Sequence, residues 1–307
     1  MSKQIKILIV IFALLALIYF LFFRSGEKIS TDRIDAKLFV ADSSRIDKIE
    51  IVKNNESITI EKSGDKWKIT KPIEYPADTN AVYPMLKDLK NFIIESVASE
   101  NPAKFSTFLD SANNTHVSTY QEGKLLGTFI IGKSQGFYNT YIKKPEENRI
   151  LLASSITASN FTKQLKDYRS KFITSILPIT VRRIDFKSTD TNKVNFSAVK
   201  DTAELTWRID GDSVASSSIE GFLNIFSNFN TEDFKDTVIT EFPEPTYTLT
   251  FYTTAGTTVI NLYHEKDSSP NSFICQVSDI NQLFRFYDGM ASQIMKKKKD
   301  FIPDSKK

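Results

Sequence analysis

The sequence predicts an α+β protein: an N-terminal transmembrane helix, then two tandem copies of a strands-helix-strands-helix unit packed together. Three observations carry this. A long uncharged apolar run opens the chain. Strand and helix signals recur in one order in both halves, and each half mixes period-two with helical hydrophobic patterns. The implied divisions are residues 1–25 as a signal anchor, 26–171 as the first repeat, 172–300 as the second and 301–307 as a basic tail.

Ile7 to Phe23 reads ILIVIFALLALIYFLFF, with no charge and no helix breaker. At about 1.5 Å per residue it covers most of a hydrocarbon core of roughly 30 Å, so contact with membrane lipid through residues 7–23 is expected. No small-x-small cleavage site follows in FRSGEK, and no cysteine stands there for a lipid anchor, which favours an uncleaved signal anchor. Lys3 and Lys6 precede the run and Arg24 and Lys28 follow it, a near balance. A short tail before a long C-terminal body places that body outside the cytoplasm.

The repeat is read from four matched features. Ile46 to Ile51 and Val181 to Phe186 are β-branched, charged strands, and each is followed by a strand holding one of the two tryptophans, Trp67 or Trp207. A helix comes next, Leu86 to Phe92 against Leu223 to Phe229, and then a hairpin turning near Gly123 or Gly256. The spacing between partners is nearly constant, which signals duplicated domains.

Asp78 is the expected cap of the first helix, whose apolar face is Val82, Met85, Leu86, Leu89, Phe92 and Ile93. Asp212 is the expected cap of the second, with Ile219, Phe222, Leu223, Ile225, Phe226 and Phe229. These stripes read as core faces against a sheet. Asn101-Pro102 starts a short helix. Each repeat is expected to close with an amphipathic helix: Ser155 to Lys171, with Phe161, Leu165 and Tyr168 inward, and Asp279 to Lys299, with Leu283, Phe284, Tyr287 and Met290 inward. The boundary from Arg169 to Pro178 has no Gly/Ser linker.

Composition is that of a globular chain, 41% hydrophobic and 25% charged. The net charge of +3, from 40 basic and 37 acidic residues, gives no overall field for nucleic acid. One cysteine, Cys275, excludes an internal disulfide and reads as a small buried hydrophobe. His116 and His264 are far apart, in strand-like segments without a metal motif.

Gly127 to Gly136, GTFIIGKSQG, matches two catalytic patterns. Gly127 to Ser134 fits the phosphate-binding loop and Gly132 to Gly136 the serine-hydrolase elbow. Both patterns need a helix after the loop. Here Thr-Phe-Ile-Ile is strand-forming, with Leu125, Gly127, Phe129 and Ile131 on one face, and Phe-Tyr-Asn-Thr-Tyr-Ile follows. The expectation is a hairpin turning at Gly132 to Gly136, with Lys133 and Ser134 as solvated turn residues. Asp210-Gly-Asp212 reads as a turn without calcium-loop spacing, Glu241 to Pro245 as a rigid connector, and Lys296 to Lys299 as a solvated helix end or a contact for anionic lipid. No catalytic, cofactor-binding or metal residue is therefore assigned, and no cofactor or nucleotide is expected.

The strand Ile46 to Ile51, the Trp67 strand ending at Lys71-Pro72, Ala77-Asp78 before the helix, and Ile131-Gly132-Lys133 with Tyr141-Ile142 beyond it together resemble the bacterial family called domain of unknown function 4340. That resemblance carries no functional residue. It implies an envelope accessory role beside an ABC-type, gliding-motility-like transport system, with a protein partner in that complex. Together with the N-terminal run, the expected place is the bacterial inner membrane, single-pass, with the body periplasmic. The Lys-, Asn-, Ser- and Phe-rich composition is similar to that of Bacteroidetes-type proteins. Asp110-Ser-Ala, Asp201-Thr-Ala, Asp212-Ser-Val and Asp236-Thr-Val resemble their O-glycosylation triplet, as short matches of incidental kind. The expected function is that of a non-enzymatic membrane-anchored envelope protein. Alternatives are an envelope glycan or peptidoglycan binding module using a groove between the halves, and a hydrolase centred on Ser134 or a cryptic site.

Overall fold

The computed structural model describes residues 45–302 apart from 55, 92, 111–113, 190–194, 202, 204, 238 and 240, together with Gln4, Phe12, Leu14, Leu15 and Leu17. It divides into two units, Met1–Tyr168 and Arg169–Lys307. Strands dominate both, and this corrects the expected fold class. Among the described residues no helix is long and apolar enough to cross a membrane. Within the apolar leader Phe12, Leu14, Leu15 and Leu17 are helical and exposed, and the rest of the expected span lies outside the described residues.

In the first unit the order is β1 (Lys48–Lys53), β2 (Glu56–Ser63), β3 (Lys66–Lys71), β4 (Tyr75–Pro76), α1 (Thr79–Asn91), β5 (Ile93–Ser99), α2 (Phe105–Phe108), β6 (Thr115–Gln121), β7 (Lys124–Gln135), β8 (Asn139–Lys143), β9 (Ile150–Ser154), α3 (Ala158–Phe161) and α4 (Leu165–Tyr168). The nine strands form one antiparallel sheet ordered β4-β3-β2-β1-β6-β7-β8-β9-β5. Alternation along β1 buries Ile49 and Ile51, and the register sets Ile51 between Ile58 and Val117. These residues join Trp67, Phe129, Ile142 and Leu151 in a core that Val82, Met85 and Leu89 of α1 cover. The opposite face is polar around β1: the Tyr120 hydroxyl donates to Glu50 at 3.0 Å, and Ser118 and Thr128 share a 2.9 Å hydrogen bond.

The second unit holds β10 (Phe172–Thr174), β11 (Val181–Ser188), β12 (Phe196–Lys200), β13 (Trp207–Ile209), β14 (Asp212–Val214), α5 (Ser216–Ser227), β15 (Phe229–Asn230), β16 (Asp233–Lys235), β17 (Tyr247–Thr253), β18 (Thr257–Glu265), β19 (Ser272–Val277), β20 (Leu283–Tyr287) and α6 (Asp288–Ile294). Its large sheet is ordered β14-β13-β12-β11-β17-β18-β19-β20-β16, and β10 pairs with β15 apart from it. With β11 set for β1 and β17 for β6, the two nine-stranded orders coincide strand for strand. The core is aromatic: Phe186 stacks on Phe196 at 4.2 Å, and Phe226 of α5 meets Phe251 at 4.7 Å. Phe301, in the segment read as a tail, is buried against Phe186, Phe196 and Phe222.

Both closing helices are corrected. Ser155 to Lys171 is not one helix but two single turns, α3 and α4, although Phe161 and Tyr168 do point inward. Thr162 leaves helical backbone at φ −112, ψ 10, and the Gln164 N–H turns to the Asp167 carboxylate. Asp279 to Lys299 contains a strand where a helix was expected. In LFRFY, Phe284 and Phe286 are buried and Arg285 between them is not, so the period is two, and β20 pairs with both β19 and β16. Asp288–Ile294 is α-helical, and Lys298–Asp300 is a separate 3-10 turn. The first helix also stops sooner. Ile93 opens β5 and is exposed, while Phe92 lies outside the described residues. Asp78 accepts from the Asn80 N–H at 2.8 Å, whereas Asp212 belongs to β14 and α5 begins at Ser216.

Four strands of the second sheet are tied by one carboxylate. Glu265 on β18 accepts from Lys235 of β16 and Arg285 of β20, both at 2.7 Å, and from the Ser272 hydroxyl of β19 at 2.7 Å. Its side chain is 12% exposed, and the Arg285 hydrogen bond above all lowers its pKa to about 2. A lowered carboxylate stabilises the fold above its unfolded value of 4.5 and loses that contribution as pH falls toward 2. In urea unfolding of the full chain, Glu265→Gln should therefore cost on the order of 2–3 kcal/mol at pH 7, with the gap to wild type closing below about pH 4. A gap that stays constant with pH would show that the cluster has no such linkage.

Candidate functional site

The double catalytic motif is a β-bulge. In the β7–β8 ladder Ile131 pairs with Ile142 and Ser134 with Thr140, so Gly132 and Lys133 together face Tyr141. Strand β7 runs to Gln135, so the turn falls at Gly136 to Tyr138, later than expected, and β8 follows in place of a helix. Gly132 is needed for close approach: a Cβ there would lie 2.7 Å from the carbonyl oxygens of both Phe108 and Tyr141. The bulge aims the Lys133 ammonium at the Ser106 and Thr107 carbonyls of α2, each at 3.0 Å. Ser134 is an exposed strand residue. A second bulge, opposite Thr119 and Tyr120, breaks the expected face of β7: Leu126 packs on the core and Leu125 is 56% exposed.

The other singled-out residues take structural places. Cys275 is fully buried on β19, and burial pushes its thiol pKa up. His116 is half-buried on β6, and His264 meets Asn271 at 2.7 Å. Asp210 and Gly211, at φ 51 and 93, make the tight β13–β14 turn, and Asp210 accepts from Lys298 at 2.7 Å, which ties down the basic C-terminal run. Glu241 to Pro245 is irregular chain before β17. Among the described residues no group of three or more His, Cys, Asp or Glu gathers as a metal site.

A groove that the motif reading missed lies in the first unit. It encloses about 720 Å³ between the polar face of α1 and the segment that follows β9. One wall is the i, i+4 row Thr79, Tyr83 and Lys87 with the neighbouring row Asn80, Pro84 and Asp88. The other is Tyr138 from the β7–β8 turn with Ser155, Thr157 and Asn160. Asp88 joins the walls: its Oδ2 accepts from the Thr157 N–H at 2.9 Å and from the Asn160 amide at 2.8 Å. The Ile156 N–H then donates to the Tyr138 carbonyl at 3.1 Å, and the Thr140 hydroxyl to the Ile156 carbonyl at 2.9 Å. Burial raises the Asp88 pKa, against the opposing pull of Thr157, Asn160 and Lys87.

Pro84 sits inside α1 and carries no N–H, so the Asn80 carbonyl loses its helical partner at the groove wall. Tyr83 and Tyr138 are 56% and 72% exposed. Asp88 is the single carboxylate among the described lining residues. The arrangement offers two aromatic faces, amides, a carboxylate and a backbone carbonyl without an i+4 N–H donor, which is hydrogen-bonding and stacking chemistry. A signal was available in the sequence: Tyr83-Pro84 and Asp88 mark the polar side of a helix read only for its apolar stripe.

The family model described as a domain of unknown function (DUF4340) matches residues 67–250. The chain belongs to this family. The match takes in both tryptophan strands, the bulged motif of β7 and every groove residue named above. No curated protein and no solved structure matches the chain.

Gly132→Ala should destabilise this DUF4340 chain by about 2–4 kcal/mol in urea unfolding, because the added carbon meets backbone on two sides. Ser134→Ala, at an exposed position, should stay within about 0.5 kcal/mol of wild type. Equal effects would contradict a structural role for the motif.

Proposed function

We propose that this chain is a non-enzymatic cell-envelope protein that works by docking, as an accessory subunit of an ABC-type, gliding-motility-like transport complex on the periplasmic side of the inner membrane. The observation that supports it is the aromatic tip of the β7–β8 hairpin. Phe137 is 90% exposed and Tyr138 beside it 72%. Large aromatic side chains left in water next to each other are the anchors on which protein interfaces concentrate their binding energy. Family membership adds no chemistry of its own. A docking role also agrees with the engagement of Lys133, whose ammonium is held by the Ser106 and Thr107 carbonyls rather than free to meet a phosphate.

The test places a photo-crosslinking amino acid at Phe137 in the full-length chain in its native membrane. Mass spectrometry of the adducts should recover transporter subunits. Recovery of uncrosslinked chain alone would overturn the reading.

A further inference from the structure

The chemistry of the α1 groove selects a different class of ligand from the partner of the hairpin tip. We propose that the groove binds a neutral saccharide chain, with Tyr83 and Tyr138 as stacking faces and Asp88, Asn160 and the Asn80 carbonyl as the hydrogen-bonding set. This goes beyond the docking reading and does not depend on it.

Sugar rings present C–H-rich faces and an equatorial rim of hydroxyls. A site for them needs flat apolar platforms beside planar polar groups, and this groove supplies both in about 720 Å³, within the 300–1,000 Å³ usual for small-molecule sites. Tyr83 and Tyr138 remain exposed although each lines a concavity, and they come from opposite walls. Charge narrows the class. Lys87 and Asp88 offset one another, so no basic surface exists for a phosphate backbone. An extended peptide would seek a free strand edge, and here the walls are a helix and a loop. The Asn80 acceptor suits a hydroxyl or acetamido N–H, and the amides and carboxylate suit paired hydroxyls.

The groove is also preorganised. Asp88 fixes Thr157 and Asn160, and the Ile156 N–H fixes the Tyr138 backbone, so the two walls that carry the tyrosines are joined before a ligand arrives. Nothing in the architecture requires this. On α5 of the second unit the core positions Val82, Met85 and Leu89 have Ile219, Phe222 and Phe226 as counterparts. By the same register Tyr83 and Asp88 become Glu220 and Ile225, and the β18–β19 turn contains no aromatic residue. The same strand order is therefore built without the clamp or the platforms.

The experiment is calorimetric titration of the full chain with chitotetraose and, in parallel, cellotetraose. Saturable binding of at least one is expected. Tyr83→Ala and Tyr138→Ala should each weaken it tenfold or more, and Asp88→Asn several-fold, while Phe137→Ala and Glu220→Ala leave it unchanged. Absence of binding to both saccharides at millimolar concentration overturns the proposal, as does binding that survives Tyr83→Ala and Tyr138→Ala together. Crosslinking from Phe137 succeeds or fails independently of either result, so the two readings are separable.

Discussion

The long-range pairing at the centre of each sheet joins its two blocks of strands, and a second one, β5 with β9 or β16 with β20, closes the far edge. Lys48–Lys53 lies against Thr115–Gln121, and in the second unit Val181–Ser188 against Tyr247–Thr253. Everything between the paired strands, including a helix and a later edge strand, must be looped out before this contact forms. Closing such a loop costs chain entropy, and buried cross-strand pairs such as Ile51 with Val117 and Ile184 with Phe251 offset it. Once β1 and β6 are in register, the local hairpins on both sides extend what that pair began, and β5 returns to pair with β9 at the far edge. The helix then has one apolar surface to cover, and its opposite face is left to the solvent and the groove.

The same constraint explains what the sequence revealed. Local signals were readable because their causes are local: the alternation of Ile49 and Ile51, the Asp78 cap, the helical spacing of Val82, Met85 and Leu89, and the Asp210-Gly211 turn. LFRFY was misread because Leu283, Phe284 and Tyr287 satisfy a helical face as well as Phe284 and Phe286 satisfy a strand. Only pairing with β19 and β16, which the local pattern does not contain, decides between them. The Leu125 face failed for a similar reason, since a single extra residue at a bulge exchanges the two faces of a strand.

The groove was illegible for the opposite cause. Asp88 meets Thr157 and Asn160, which are remote in sequence, and no spacing rule links them. The pattern that did look functional, Gly132-Lys133-Ser134, owes its glycine to steric contact with the Phe108 and Tyr141 carbonyls and its lysine to the ends of a short helical turn. A motif carries chemistry only through the backbone that presents it, and a bulged strand presents its N–H groups to its neighbours.

Asp88 is the residue whose presence the fold explains least. Burial makes its carboxyl hold a proton more tightly in the folded chain than in the unfolded one. Its contribution to stability is therefore favourable below the ordinary carboxylate range and declines as pH rises through the raised value, leaving a cost at neutral pH. The second unit shows the alternative, a half-buried Ile225 at the matching turn of the matching helix. A chain under pressure only to fold has that solution available and would also have no use for Pro84, which removes the helical hydrogen bond to the Asn80 carbonyl. The presence of both on one wall of a groove that two water-exposed tyrosines also line fits a surface shaped for a ligand at some expense of stability.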